Sequence, residues 1–123
     1  MTREAIDAYI QSQNGIQAEY PFEADDLTAV YRHTDNKKWF AIVMRIPNKR
    51  LHIESDEEID VMNVKCEPVV IGSFLMEDGF YPAYHMNNTH WITISPEADE
   101  EKTKLLIDMS YSLTGTKRKK ARK

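Results

Sequence analysis

Residues 39–46 read Trp-Phe-Ala-Ile-Val-Met-Arg-Ile, an almost unbroken apolar run. The run is far too short for a bilayer span, which takes about 20 residues. Its length and β-branched content mark a strand covered on much of both faces. A chain built around such a strand needs partners on either side of it and layers above and below. The flanks supply the turns, Asp35-Asn36-Lys37 before it and Pro47-Asn48-Lys49-Arg50 after it. Leu27 to His33 alternates as a preceding strand, and Leu51-His52-Ile53 reads as a short third one.

The rest of the chain supplies the covering layers. Residues 3–13 read as a helix, with Thr2 as its cap, Ile6, Tyr9, Ile10 and Gln13 at helical spacing, and Asn14-Gly15 as its stop. Tyr20, Pro21 and Phe22 are expected to lay aromatic surface over the core. Ser55 to Asp60 forms an acidic connector, and Val61 to Cys66 alternates with Met62, Val64 and Cys66 on one face. Glu67-Pro68 opens a helix running to about Glu77, with Val70, Ile71, Phe74 and Leu75 as core candidates and Asp78-Gly79 as its end. In Pro82 to Ile94, a two-residue turn at Asn87-Asn88 predicts a hairpin pairing Met86 with Thr89, His85 with His90, and Tyr84 with Trp91. A last helix over Ala98 to Leu113, capped by Ser95 or Asp99, buries Leu106, Ile107, Ser110 and Leu113. With 123 residues the chain holds one domain and one core. Residues 1–115 form that domain, and residues 116–123 a solvated basic tail without structure of its own.

Charge is divided unevenly. Lys117, Arg118, Lys119, Lys120, Arg122 and Lys123 are six of the sixteen basic residues, so residues 1–116 hold 10 basic against 20 acidic side chains. The single cysteine, Cys66, excludes an internal disulfide and a cysteine-built metal site. With no apolar leader at the N-terminus and no membrane span, the expected setting is the cytoplasm.

The order of these pieces resembles the MmcQ/YjbR family of small bacterial proteins, many of which are labelled DNA-binding. The resemblance runs over residues 3–114 and rests on the N-terminal helix, Tyr20-Pro21-Phe22, the Trp39-to-Met44 strand, Val64-Lys65-Cys66-Glu67-Pro68, and Tyr84-His85-Met86-Asn87-Asn88-Thr89-His90-Trp91 before a final helix ending in Ser110-Tyr111-Ser112-Leu113. It implies a single α+β domain, a curved antiparallel sheet flanked by helices, with a shape similar to secretion chaperones or frataxin. It further implies a double-wing arrangement of β-hairpins, the basis on which DNA binding was proposed for the family. No catalytic residues come with it. Lys65, Cys66, Pro68, Tyr84, His85, Met86, Asn87, His90 and Trp91 carry the motifs, and their expected role is structural.

Weighed by chemistry, the other candidates are thin. A cross-strand His85/His90 pair has Cβ atoms roughly 4.5–5.5 Å apart, but zinc takes three or four protein ligands, so no metal is predicted. Cys66 on an apolar face is a small hydrophobe and not a nucleophile. The Glu54-to-Asp60 carboxylates read as a solvated loop. Tyr84 and Trp91 read as a packing pair. Lys37, Lys38, Lys49 and Arg50, on turns roughly 25 Å apart across the eight-residue strand, are the candidates for phosphate contact, and the tail is the candidate for affinity. The function expected is therefore non-enzymatic DNA binding by the turns and tail. The competing expectation is an adaptor offering its acidic, aromatic sheet surface to a basic protein partner. No cofactor, small-molecule substrate or membrane partner is expected.

Overall fold

The computed structural model describes residues 1–116. Helix α1 spans Arg3–Asn14, β1 Ala29–Arg32, β2 Trp39–Pro47, β3 Glu58–Lys65, α2 Pro68–Leu75, β4 Phe80–Pro82, β5 Trp91–Ile94 and α3 Glu100–Thr114. The strands make one antiparallel sheet ordered β1-β2-β3-β5-β4, so the apolar run of β2 is internal. This is the single α+β domain with an antiparallel sheet that the resemblance implies, and the sheet is open and five-stranded.

The helices begin and end where their caps dictate. Thr2 Oγ1 accepts from the Ala5 N–H, and Gly15 at φ +67° turns its N–H back to the Gln11 carbonyl. Asp99 accepts from the Lys102 N–H, with Glu100 and Glu101 complementing the helix dipole in the first turn. One sheet face packs on these helices through Ile6, Ile10, Val43, Met62, Val64, Ile92, Leu106 and Ile107. The opposite face carries a smaller cluster of Ile46, Leu51 and Val61.

A bulge decides which side chains of β2 face which way. Tyr31 pairs with Ala41 but Arg32 with Trp39, so Phe40 is the extra residue. Phe40 and Ala41 consequently both pack toward the helices, and Trp39 joins Ile42 on the other face. Where the β2–β3 ladder stops at Ala41↔Val64, Ser110 of α3 takes over the next rung. Its hydroxyl donates to the Phe40 carbonyl at 2.6 Å and accepts from the Lys65 N–H at 2.8 Å.

Several expected elements differ. Asn48–Leu51 is a 3₁₀ turn instead of the approach to a third strand, and His52 at φ +63° reverses the chain where Leu51-His52-Ile53 was expected to extend. The acidic connector is shorter than expected, because Glu58, Ile59 and Asp60 belong to β3, where Asp60 pairs with Arg45 and is held by Arg3. The hairpin register is shifted by one residue: Phe80 pairs with Ile94, Tyr81 with Thr93 and Pro82 with Ile92. The ladder ends there, so Asn87-Asn88 is not a two-residue turn and neither His85/His90 nor Tyr84/Trp91 is a cross-strand pair. Helix α2 stops at Leu75, which is exposed, and α3 buries Thr114 while Leu113 is half-buried. Strand β1 starts at Ala29, since Asp25 accepts from the Leu27 N–H and holds that residue in a turn. Tyr20 and Phe22 are exposed, not laid over the core.

Candidate nucleic-acid interface

The turn between β1 and β2 is built by its own side chains. Asp35 Oδ1 accepts from the Asn36 N–H at 2.7 Å, Asn36 Oδ1 accepts from the Lys38 N–H at 2.8 Å, and Lys37 takes the left-handed conformation at φ +66°. The same turn grips the end of α3. Asn36 Nδ2 donates to the Thr114 carbonyl at 2.9 Å, Thr116 Oγ1 donates to Asp35 Oδ2 at 2.8 Å, and His33 Nε2 lies 2.9 Å from Thr114 Oγ1. His33 is buried, tilted over Tyr111 at 4.3 Å and beside Phe40 at 5.3 Å. The hydrogen bond from Thr116 and the one from the Asn36 N–H hold the Asp35 carboxyl below its usual range. Thr116, the last described residue, is thereby fixed beside Lys37 and Lys38. The expected tail residues Lys117, Arg118, Lys119, Lys120, Arg122 and Lys123 lie outside the described residues.

Arg3, Arg32, Arg45, Lys102 and Lys104 all form ion pairs. Among the described residues, the basic side chains without one are Lys37, Lys38, Lys49, Arg50 and Lys65. The four turn cations singled out in the sequence are thus uncommitted. The structure does not bring them together: Lys37 and Lys38 precede β2, Lys49 and Arg50 follow it, and nine residues at ~3.3 Å separate them by roughly 30 Å. What lies between on the open face is Ile42, Met44 and Ile46, and Arg45, which also borders this stretch, is taken up by Asp60.

These residues floor a cleft of about 470 Å³. One wall is Phe22 and Trp39, edge to face at 6.2 Å and 90°, with Asp25 and Thr28 beside them. Asp25 accepts from the Thr28 hydroxyl and the Leu27 N–H, which hold its carboxyl below the usual range. The other wall is Tyr84, His85 and Met86, with the Tyr84 and His85 rings stacked at 3.9 Å and 14°. Arg50 and His52 line an adjoining hollow against the far side of Tyr84 and His85. Two buried polar side chains set that wall: Thr93 Oγ1 donates to Asn63 Oδ1 and accepts from the Tyr84 N–H at 2.9 Å, while Asn63 Nδ2 donates to the Tyr84 carbonyl at 2.8 Å. The sequence reading passed over Asn63, Phe22 and Trp39 as parts of a site. For Asn63 the available signal was a lone amide inside Val-Met-Asn-Val, on the face opposite Met62 and Val64.

The remaining motif residues have structural surroundings. Asn87 closes the 83–90 loop, its side chain accepting from the Thr89 N–H and its carbonyl from the His90 and Trp91 N–H groups. The Cys66 N–H donates to the His90 carbonyl at 2.8 Å, joining the two motifs. Burial pushes the Cys66 thiol up, and its sulfur lies 3.9 Å from Met109 Sδ. Pro68 opens α2, and Lys65 stands opposite Trp91 in the β3–β5 ladder. Among the described residues, no three His, Cys, Asp or Glu side chains converge as metal ligands, and no helix is long and apolar enough to cross a membrane.

The chain is 34% identical over 116 residues to the uncharacterized protein YyaQ of Bacillus subtilis, covering 93% of this chain and 98% of that one. A crystal structure of a protein from Pseudomonas syringae superposes with a TM-score of 0.91 at 37% identity, over 94% of this chain and all of the other. DR2400 of Deinococcus radiodurans shares the fold, with a TM-score of 0.68 at 19% identity over 91% of this chain and 77% of that one. The family model for YjbR matches residues 11–113, and the chain belongs to the YjbR family.

Proposed function

We propose that this protein is a non-enzymatic nucleic-acid-binding protein of the cytoplasm, engaging phosphates at the pole formed by the β1–β2 turn and the end of α3. One observation carries the reading: Thr116 is bonded to Asp35 of the turn that presents Lys37 and Lys38. Lys117 follows Thr116 directly in the chain, and five more cations follow within the next six residues. Clustering matters because residues 1–116 carry twice as many acidic as basic side chains, and a polyanion is attracted only where the local sign is reversed. Lys49 and Arg50 would make a secondary contact at the far end of β2.

The test is a binding titration of labelled oligonucleotides against the full chain and against Lys37→Glu/Lys38→Glu. The charge reversal is expected to weaken binding at least tenfold at low salt. Unchanged affinity would remove the pole from the site. The acidic excess favours a second reading, a basic protein partner on the sheet surface, and that reading gains if no oligonucleotide binds.

A further inference from the structure

We propose that the open sheet face takes single-stranded nucleic acid, with unpaired bases turned into the cleft between Trp39 and Tyr84. The inference rests on the nucleic-acid reading above and names the form of the ligand. A duplex laid along β2 from Lys38 toward Arg50 would press its phosphates onto Ile42, Met44 and Ile46, which offer neither charge nor hydrogen-bond donors, while the Arg45 guanidinium beside them is already engaged by Asp60. Desolvating phosphates against that floor is costly. A single strand has the opposite polarity available to it, because its bases are free to face an apolar surface while its phosphates stay in water.

The surroundings suit a base. Trp39 and Phe22 remain 36% and 43% exposed although large and aromatic, and Trp39 directly follows Lys38 in the chain. Opposite, the stacked Tyr84 and His85 rings form a second platform, and Arg50 stands behind them as the next cation. The wall does not need to be assembled on binding, since Asn63 and Thr93 already hold the Tyr84 backbone at both its N–H and its carbonyl. A cleft of about 470 Å³ lies within the range of small-ligand sites, roughly 300–1,000 Å³, and so has room for a nucleobase. The carboxylate on the rim, Asp25, has both oxygens engaged within its own loop.

The experiment compares a labelled thymidine 12-mer with a 12-base-pair hairpin duplex, for the full chain, Trp39→Ala and Phe22→Ala, at physiological ionic strength. The single strand is expected to bind more tightly. Either substitution should weaken it by about 5- to 150-fold, the range for losing one stacked base, while duplex affinity changes less than twofold. Phe22 lies on an exposed loop, so its variant keeps the test valid if Trp39→Ala folds poorly. In a Trp91→Phe background, Trp39 is the remaining tryptophan, and its emission should be quenched by the 12-mer. Equal affinity for both forms, untouched by either substitution and without quenching, overturns the inference and leaves the nucleic-acid reading standing. Equal loss on both forms also overturns it. No binding of either form overturns both.

Discussion

Ser110 is a small polar residue on the buried stripe of α3, and its cost and benefit can be weighed. A hydroxyl in an apolar layer is unfavourable unless both its donor and its acceptor capacity are used. Here both are: the side chain stands in the β2–β3 ladder like an inserted rung, between Phe40 and Lys65. Ser110→Ala would leave one buried carbonyl and one buried N–H unmet, each costing about 1–3 kcal/mol. A loss of at least about 2 kcal/mol in urea denaturation is expected, and a change below about 0.5 kcal/mol, typical of a surface site, would mean that the rung is dispensable. Gly79 makes a second residue-scale case. At φ +92° it lies where L side chains are strained, and an added Cβ would sit 2.5 Å from Ala98 Cα. Adding the left-handed penalty to overpacking gives roughly 2–5 kcal/mol for Gly79→Ala. The check is the same denaturation, with Gly72→Ala, whose Cβ meets nothing within 4 Å, as the tolerant comparison.

Asp60 ties three elements together, since it sits on β3, faces Arg45 on β2 and takes a hydrogen bond from Arg3 on α1. Burial pushes its carboxyl up, but the hydrogen bonds and charges of Arg45 and Arg3 outweigh that and hold it below the ordinary value. A depressed folded pKa means the stabilisation is complete above the unfolded value of ~3.9 and is lost as pH falls through the folded one. Asp60→Asn is therefore expected to be less stable than the parent at pH 7, with the gap closing on acidification below about pH 4. Denaturation midpoints at pH 7 and pH 3 check this, and a gap of constant size would show that Asp60 acts by packing alone. The sequence reading expected this aspartate in a solvated connector, because a run of carboxylates looks like a loop until the arginines that neutralise it are known to be near. The same limit shaped the hairpin. The expected hairpin pairing followed from the Asn87-Asn88 pair alone, whereas the register depends on Asn63, in another strand, and Thr93 holding the Tyr84 backbone. Elements fixed by local signals were legible: the caps at Thr2 and Gly15, Pro68 at the first position of α2, the central β2, and the apolar stripe of α3. Those fixed by distant partners were not, and the cleft is one of these, since its walls come from segments that meet only in the folded chain.

At the scale of the whole molecule, binding as proposed would require an acidic body to hold a polyanion, and the salt dependence of affinity tests this. Each phosphate neutralised releases counterions, so the slope of log affinity against log salt counts contacts, at about 0.7 per cation for single strands. The two turn lysines and the six cations of 117–123 would give a slope of roughly −5 to −6 if all eight engaged, and roughly −1.4 for Lys37 and Lys38 alone. Stacking on Trp39 would contribute affinity with little salt dependence, since it releases no counterions. A chain ending at Thr116 is thus expected to keep a shallow slope together with its preference for single strands, while the full chain binds more tightly at low salt and converges on the truncation at high salt. Under the proposal the body would oppose the cations of 117–123, because its surplus carboxylates would repel the phosphates that those cations would attract, and screening weakens both over a Debye length of about 8–10 Å near physiological salt. Affinities of the two chains across 25–400 mM salt measure the balance. Parallel lines would mean that the basic segment touches no phosphate, leaving the turn lysines and the aromatic cleft to account for all binding.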